Sequence, residues 1–431
     1  IGNSAMGTNT TGANNTAVGS SALYSNTTGD DNSSFGHSSL FSNTTGFQNT
    51  AVGRASMDAN TTGNLNSSLG YVSLQKNTTG TNNTGLGHSA LRYNTTGASN
   101  TALGRDALFS NTTASSNTAI GYSALGANTT GNSNVALGYL ALDANTTASN
   151  NTAIGRDALG ANTTGASNTA MGYYSLNANT TGGENTALGY QSLTASTTGT
   201  NNTAVGLYSM LYNTSGSNNV ALGRSALQAN TTADNNTAIG RDSSKNNTTG
   251  TLNTAVGYQA LYTNTTASNN TAVGYESLKA NTTGDKNTAV GRSTGLSATT
   301  GSTNLFLGYY SGKEATPTTT GSYNTFVGAY SHGTSATAHT ANVLGYNVAG
   351  AGAYTTIGSA ASDIRTAHGS TSWATVSDER YKKDIVDSTA GLSLVNALQP
   401  RTFKYKTLGE LPTTFNAYEA DSTEVFKNSN T

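Results

Sequence analysis

The sequence predicts an all-β fold: an elongated trimeric β-solenoid or triple β-helix fibre built from 17-residue repeats, with a short α-containing C-terminal segment. Three observations predict it. Glycine recurs at every seventeenth position from Gly2 to Gly308, charged residues are scarce, and the composition changes abruptly near the C-terminal end. Self-similarity at a fixed period is the signature of stacked repeat architectures.

The composition excludes several ordinary classes of protein. Charged residues make up 10% of the chain, against about 25% in a typical globular domain, and 50 of 431 residues are glycine. The formal net charge of -1 gives neither the charge repulsion of a disordered chain nor a field that attracts nucleic acid. Because cysteine is absent, disulfides and thiolate metal sites are excluded. Backbone hydrogen bonds must therefore provide much of the order.

The repeat unit reads N-T-A-V-G-Y-x-A-L-x-x-N-T-T-G-x-x, and its positions are numbered here from the first asparagine. Position 4 is almost always Val, Ile, Leu or Met, as at Val18, Leu103 and Ile120, and position 9 is nearly always Leu or Met. We expect both side chains to face a core. The N-T-T-G segment has turn chemistry, and the abundance of Asn, Thr and Gly disfavours a helix.

Stacked coils of a solenoid lie about 4.8 Å apart. Two large apolar residues per coil bury little surface, so we expect each coil to complete its core against other chains, in a trimer. The glycine at position 5 is expected to have a positive φ or a close backbone neighbour, a simple turn glycine being the alternative. The glycine at position 15 is less constrained, since alanine replaces it at Ala114 and Ala148.

Position 6 alternates among Tyr, Arg and His and predicts an exposed stripe. Aromatic rings and guanidinium groups could bind a receptor sugar by stacking and by forked hydrogen bonds. The alternative is that these side chains only cover neighbouring coils, with surface pairs such as Arg105 and Asp106. The candidate receptor-binding residues are Tyr71, Tyr122, Tyr173, Arg54, Arg105 and Arg156. Their recurrence at 51 residues suggests duplication of a three-unit block.

The Asn-Thr-Thr segments match the acceptor pattern for N-glycosylation, but ladders of Asn and Thr that satisfy the turns are the favoured interpretation. Adjacent threonines point to opposite faces, which argues against the flat threonine face of an ice-binding solenoid. The repeats contain no catalytic constellation and no metal-ligand spacing. No cofactor and no metal are therefore expected.

The chain divides into three predicted domains: a repetitive β-fibre shaft (1–309), an irregular distal β segment (310–372) and a third region (373–431). After Gly308 the glycine spacing changes and an insert contains Pro317. Loops on a rigid scaffold often carry recognition, so the distal segment is a second candidate for binding. In the third region, apolar periodicity predicts one helix from Asp387 to Leu398.

The third region contains S-D-E-R-Y-K-K-D-I at 377–385, followed by F-K-Y at 403–405. These motifs resemble the start of the intramolecular chaperone domain, peptidase S74 type, that ends many phage tail fibres and tailspikes. The resemblance implies that the domain assembles a trimer and then cuts itself off. Ser377 would be the nucleophile, Lys382 its base and Asp378 the first residue released. We expect no enzyme activity beyond this single self-cleavage, and the domain looks truncated at Thr431.

The repeat itself is similar to repeats of phage fibres and, more loosely, to the β-roll heads of trimeric autotransporter adhesins. These resemblances imply a homotrimeric virion tail fibre, joined upstream to tail or baseplate proteins and attached to a host cell-surface glycan or protein. We expect no membrane insertion, because no apolar run approaches about 18 residues. The chain opens inside a repeat and is expected to start mid-protein. The alternatives are a cellular surface adhesin or extracellular filament protein and, less favoured, an ice-binding β-solenoid.

Overall fold

The computed structural model describes residues 1–313, 318–360 and 362–375, together with positions 420 and 423. The chain divides into two units, Ile1–Val376 and Ser377–Thr431. The first unit is a β-solenoid in which each coil contributes one short strand to a long parallel sheet. No helix occurs in the described ranges. The all-β solenoid with a 17-residue repeat is thus confirmed, whereas the predicted helix 387–398 lies outside the described residues.

The strands are β1 (Thr16–Val18), β2 (Ser33–Phe35), β3 (Thr50–Val52), β4 (Ser67–Leu69), β5 (Thr84–Leu86), β6 (Thr101–Leu103), β7 (Thr118–Ile120), β8 (Val135–Leu137), β9 (Thr152–Ile154), β10 (Thr169–Met171), β11 (Thr186–Leu188), β12 (Thr203–Val205), β13 (Val220–Leu222), β14 (Thr237–Ile239), β15 (Thr254–Val256), β16 (Thr271–Val273), β17 (Thr288–Val290), β18 (Leu305–Leu307), β19 (Thr325–Val327), β20 (His332–Gly333), β21 (Asn342–Tyr346), β22 (Ala349–Gly350), β23 (Tyr354–Ser359), β24 (Ser362–Ala367) and β25 (Ala374–Thr375).

The register of the sheet follows the repeat. Thr101 pairs with Thr118, 17 residues later, and the equivalent residues pair in the same way from β1 to β18. The next pairing, Leu305 with Thr325, spans 20 residues because of the insert after Gly308. Strands β19, β21 and β23 continue the parallel stack, β23, β24 and β25 pair antiparallel, and β20 and β22 form a separate two-stranded sheet.

In most coils the core contains alanine from position 3 and leucine from position 9. Ala102 and Leu108 are fully buried, and the same is true of their equivalents along the column. The prediction that position 4 faces the core is wrong: Leu103 is 40% exposed and Leu69 is 50% exposed. Successive side chains of a strand point to opposite faces, so the alanine inside forces position 4 outside. Each coil of the single chain buries its own alanine and leucine, and the expected packing of coils against other chains stays a prediction.

Asparagines at position 12 form a buried ladder along the column. The Asn43 side chain donates to the Oδ1 atom of Asn26 at 2.8 Å and to the carbonyl oxygen of Gly46 at 2.9 Å. Its own Oδ1 accepts from Asn60 at 2.8 Å, so the pattern passes to the next coil. Each amide thereby closes its own N-T-T-G turn and links the coil to both neighbours. The predicted role of asparagine in satisfying the turns is confirmed.

A second ladder uses the asparagine at position 1, which enters the strand. The Asn49 side chain donates to the carbonyl oxygen of Gly63 at 2.8 Å, and its backbone N–H donates to Oδ1 of Asn32 at 3.0 Å. Threonine at position 13 adds a third link, since Thr27 Oγ1 donates to the carbonyl oxygen of Thr44 at 3.0 Å. Buried polar groups favour hydrogen-bonded positions, and Asn49 and Thr27 find their partners in the adjacent coils.

The glycine at position 5 has both properties that the sequence predicts. Gly138 has a φ of 144°, and a Cβ there would overlap the carbonyl oxygen of Gly155 in the next coil. Only glycine tolerates this backbone and this approach at low cost. The glycines at position 15, such as Gly131, do not have a positive φ, which agrees with the natural alanines at that position.

Candidate binding surface

The side chains at position 6 form an exposed row that we call the tyrosine–arginine row. Each member of the row directly follows a position-5 glycine, at the point where the chain leaves the strand. Tyr71 is 47% exposed and Tyr122 is 40% exposed, as predicted for a stripe on the surface. The row contains Asn3, Ser20, His37, Arg54, Tyr71, His88, Arg105, Tyr122, Tyr139, Arg156, Tyr173, Tyr190, Leu207, Arg224, Arg241, Tyr258, Tyr275, Arg292 and Tyr309.

Rings and guanidinium groups of the row stack along the column. Tyr122 and Tyr139 stack with centroids 5.2 Å apart and ring planes 13° apart. Arg105 caps the first ring at 5.7 Å and Arg156 caps the second at 5.4 Å, giving an Arg–Tyr–Tyr–Arg sandwich. The far side of Arg156 contacts Tyr173 at 5.9 Å. Stacking and cation–π contacts each contribute roughly 0.5–1 kcal/mol at exposed positions.

The same arrangement recurs where the sequence repeats it. Tyr173 stacks on Tyr190 at 5.2 Å, and Tyr71 stacks on His88 at 5.3 Å. Tyr258 stacks on Tyr275 at 5.2 Å. Because neighbouring coils occupy the ring faces, these sandwiches leave mainly ring edges and phenol hydroxyls to solvent. A receptor sugar would meet hydroxyl and guanidinium groups here, and the proposed face-on stacking on these tyrosines would require the sandwich to open.

The arginines of the row also make surface ion pairs. Arg105 Nε lies 3.1 Å from Asp106 Oδ2, and Arg156 Nε lies 3.1 Å from Asp157 Oδ2. Both arginine side chains are more than half exposed, so these pairs add little to stability. They do cancel the charge of two arginines. The row is therefore well suited to covering the coils, and its role in receptor binding stays a prediction.

A second exposed row consists of the position-4 side chains from Val18 to Leu307, which we call the aliphatic row. Nine of its large side chains are at least 36% exposed: Phe35, Leu69, Leu86, Leu103, Leu137, Met171, Ile239, Val290 and Leu307. The register places one member on every coil of the sheet. Soluble monomers rarely expose a continuous apolar band of this length. The sequence signal that could have identified the aliphatic row is the alternation of side chains in the T-A-V strand, which places the alanine on one face and the valine on the other.

The residues of the predicted self-cleavage lie outside the described residues; they are Ser377, Lys382 and Asp378. Arg54 lies one coil before Tyr71 in the tyrosine–arginine row. The described ranges include no helix that is long and apolar enough to cross a membrane.

The described part of the chain is thus a single-chain β-solenoid with 17-residue coils and two exposed side-chain rows. Residues 377–422 match the family model Peptidase_S74, described as chaperone of endosialidase. The match begins at Ser377, where the S-D-E-R motif begins, and confirms the resemblance at this end of the chain. Neither the curated proteins nor the solved structures provide a match to the chain.

Proposed function

We propose that this chain is the shaft and distal part of a homotrimeric attachment fibre of a phage tail. The observation that carries the proposal is the match to the chaperone of endosialidase family directly after a long, regular solenoid. A chaperone that is covalently attached to a repetitive β-structure suits a fold whose many equivalent coils could pair out of register. The fibre would project from the virion, joined upstream to tail or baseplate proteins.

Three copies would associate through their aliphatic rows. Fully burying a leucine contributes about 1.5–3 kcal/mol, so a side chain that starts about 40% exposed contributes roughly 1 kcal/mol. The nine most exposed members would give about 9 kcal/mol per chain, within the range of about 4–15 kcal/mol that association costs. Because the row has one member per coil, parallel copies in the same register would match over its whole length.

The fibre would bind a glycan or protein of the host surface through its irregular distal segment or the tyrosine–arginine row. Self-cleavage between Ser377 and Asp378 would release the chaperone once the trimer has formed. The described solenoid needs no cofactor for these roles, because they are mechanical and adhesive.

Native mass spectrometry of the full chain and of Ser377→Ala tests assembly and processing together. We expect a trimer in both proteins and a chain that ends at Ser377 only in the unsubstituted protein. An uncut monomer in both would refute the trimer and the cleavage, and would leave a single-chain surface adhesin as the better explanation.

A matched pair of variants tests the aliphatic row as the interface. Leu103→Lys combined with Leu137→Lys places two ammonium groups in the row and should yield monomers. Thr96→Lys combined with Thr130→Lys adds the same charges at exposed position-14 threonines with the same spacing, and should remain trimeric. If both double variants assemble equally well, the aliphatic row is not the interface.

A further inference from the structure

The position-10 side chains form another outward row, and this row has a gap at Gly126. In the neighbouring coils the same position holds Phe109 on one side and Asp143 on the other. With coils about 4.8 Å apart, the missing side chain leaves about 9.6 Å between these two positions. A cavity of about 350 Å³ occupies the gap and is lined by Asp106, Phe109, Ser110, Ser123, Gly126, Ala127 and Asp143. We call it the Gly126 notch.

The ring of Phe109 has one covered face and one open face. Arg92 lies 5.9 Å from the ring centroid, and Tyr93 contacts the ring edge-on with centroids 5.0 Å apart. Both neighbours belong to the preceding coil. On the following coil stands Gly126, which has no side chain to cover the ring. Phe109 therefore differs from Tyr122 and Tyr139 of the tyrosine–arginine row, whose faces are occupied on both sides.

The carboxylate of Asp143 forms the opposite wall of the notch. Its Oδ1 atom lies 2.8 Å from where a Cβ of Gly126 would be, so the carboxylate points into the space of the missing side chain. Asp106 and Asp157 are each paired with an arginine, whereas no cation or donor contacts the Asp143 carboxylate in the described structure. Burial raises the pKa of Asp143, and the nearby Asp157 raises it further. The notch thus contains one uncompensated negative charge.

We propose that the Gly126 notch binds an organic ammonium group, held between the open face of Phe109 and the carboxylate of Asp143. Both walls attract a cation: the aromatic face through its quadrupole and the carboxylate through its charge. Ser110 and Ser123 provide hydroxyls for polar atoms next to the ammonium group. The biological role of this site, contact with amine-bearing groups of a host surface, rests on the proposed attachment function, whereas the binding itself does not.

A second glycine at position 10 provides an internal comparison. The Asn177 side chain points into the gap at Gly160 as Asp143 points into the gap at Gly126: its Nδ2 would lie 2.9 Å from a Cβ there, and it donates to the carbonyl oxygen of Asp157 at 2.8 Å. That amide is already partnered and carries no charge. The two gaps therefore share their backbone geometry but differ in the chemistry that selects a cation.

Ligand-observed NMR titration of the purified full chain tests the site. The probes are choline and glucosamine, which carry quaternary and primary ammonium groups, with 3,3-dimethylbutan-1-ol and glucose as neutral counterparts. We expect at least one ammonium probe to bind with millimolar affinity and its neutral counterpart not to bind. The preferred probe identifies the kind of ammonium group. Equal binding of a probe and its neutral counterpart, or no binding of either ammonium probe, would overturn the proposal.

Variants locate the binding. For glucosamine, Asp143→Asn should weaken binding by about 10- to 150-fold, as expected for the loss of a charge-assisted hydrogen bond. For choline, which has no N–H, the same substitution should weaken binding through the loss of charge attraction alone. Phe109→Leu should weaken it by about 2- to 30-fold through loss of the cation–π contact. Gly126→Gln should abolish binding, since Gln75 and Gln228 occupy position 10 in other coils, whereas Gly160→Gln should not affect it. Binding that survives Gly126→Gln would place the ligand elsewhere, even if the fibre proves to be a trimer that attaches to cells.

Discussion

Replacing Ser196 with asparagine should stabilise the solenoid, because Ser196 interrupts the position-12 asparagine ladder. The buried Oγ atom of Ser196 and the buried Oδ1 atom of Asn179, one coil earlier, both lack hydrogen-bond partners. In most other coils a position-12 asparagine fills that space. The Asn281 oxygen is unpartnered for the same reason, since Ala298 follows it in the ladder.

The new asparagine would form three hydrogen bonds, as Asn43 does in its own coil. Its amide would donate to Asn179 Oδ1 and to the carbonyl oxygen of Gly199, and its oxygen would accept from Asn213. At about 0.5–1.5 kcal/mol each, the three bonds give about 1.5–4.5 kcal/mol. Fixing the longer side chain costs about 1 kcal/mol. The net gain is roughly 2 kcal/mol.

Hydrogen exchange measured by mass spectrometry is the suitable assay, because a solenoid opens locally and its unfolding is not a single two-state step. A gain of 2 kcal/mol should slow exchange of the amides around residue 196 by about 30-fold. Ser196→Ala is the control, since it removes the unpartnered hydroxyl without completing the ladder. If Ser196→Asn protects no better than Ser196→Ala, the ladder does not provide the stability that we assign to it.

Two further predictions concern backbone geometry and pH. Gly138→Ala should destabilise the coil by about 1–3 kcal/mol from backbone strain alone, whereas Gly165→Ala at position 15, where φ is not positive, should cost less, as measured by hydrogen exchange of the surrounding amides. Equal losses would show that position 5 needs no positive φ. The pKa of Asp143 is raised in the folded chain. Ionised Asp143 therefore lowers the free energy of unfolding as the pH rises above the ordinary aspartate pKa of about 4. Asp143→Asn should therefore be more stable than the unsubstituted protein at pH 7 and lose this advantage below about pH 4, and a pH-independent difference would contradict this linkage.

The coil length, the strand register and the role of the position-5 glycine could be predicted from the sequence because one period fixes all three. That the alanine at position 3 faces the core could not be predicted from the sizes of the apolar side chains. Large apolar residues at positions 4 and 9 suggested a two-sided core, but residues 101–103 form a strand in which only Ala102 points inward. In this coil Leu108 fills most of the interior and leaves an alanine-sized space at position 3. The larger Phe306 is buried at the same position where glycine, as at Gly312, replaces the leucine of position 9.

Left-handed residues were a second feature that the sequence did not reveal. Ser123, Leu125 and Ser133 have φ values of 48°, 54° and 57°, at positions 7, 9 and 17 of their coil. Non-glycine residues rarely adopt this conformation, and leucine has no side-chain group that favours it. The hydrogen bonds and packing between successive coils impose the left-handed conformation on these residues. Likewise, the Gly126 notch depends on the residues that lie one coil before and one coil after Gly126. Only the 17-residue register shows which residues these are.

The strict register has a consequence for how the shaft can evolve. Each coil is joined to the next by the same hydrogen bonds, so a segment of whole units can be inserted or deleted by recombination without disturbing the rest. A duplicated block of 51 residues would add three coils, or about 14 Å, and would extend both exposed rows in phase. The length of the solenoid can therefore change in fixed steps through unequal crossing-over.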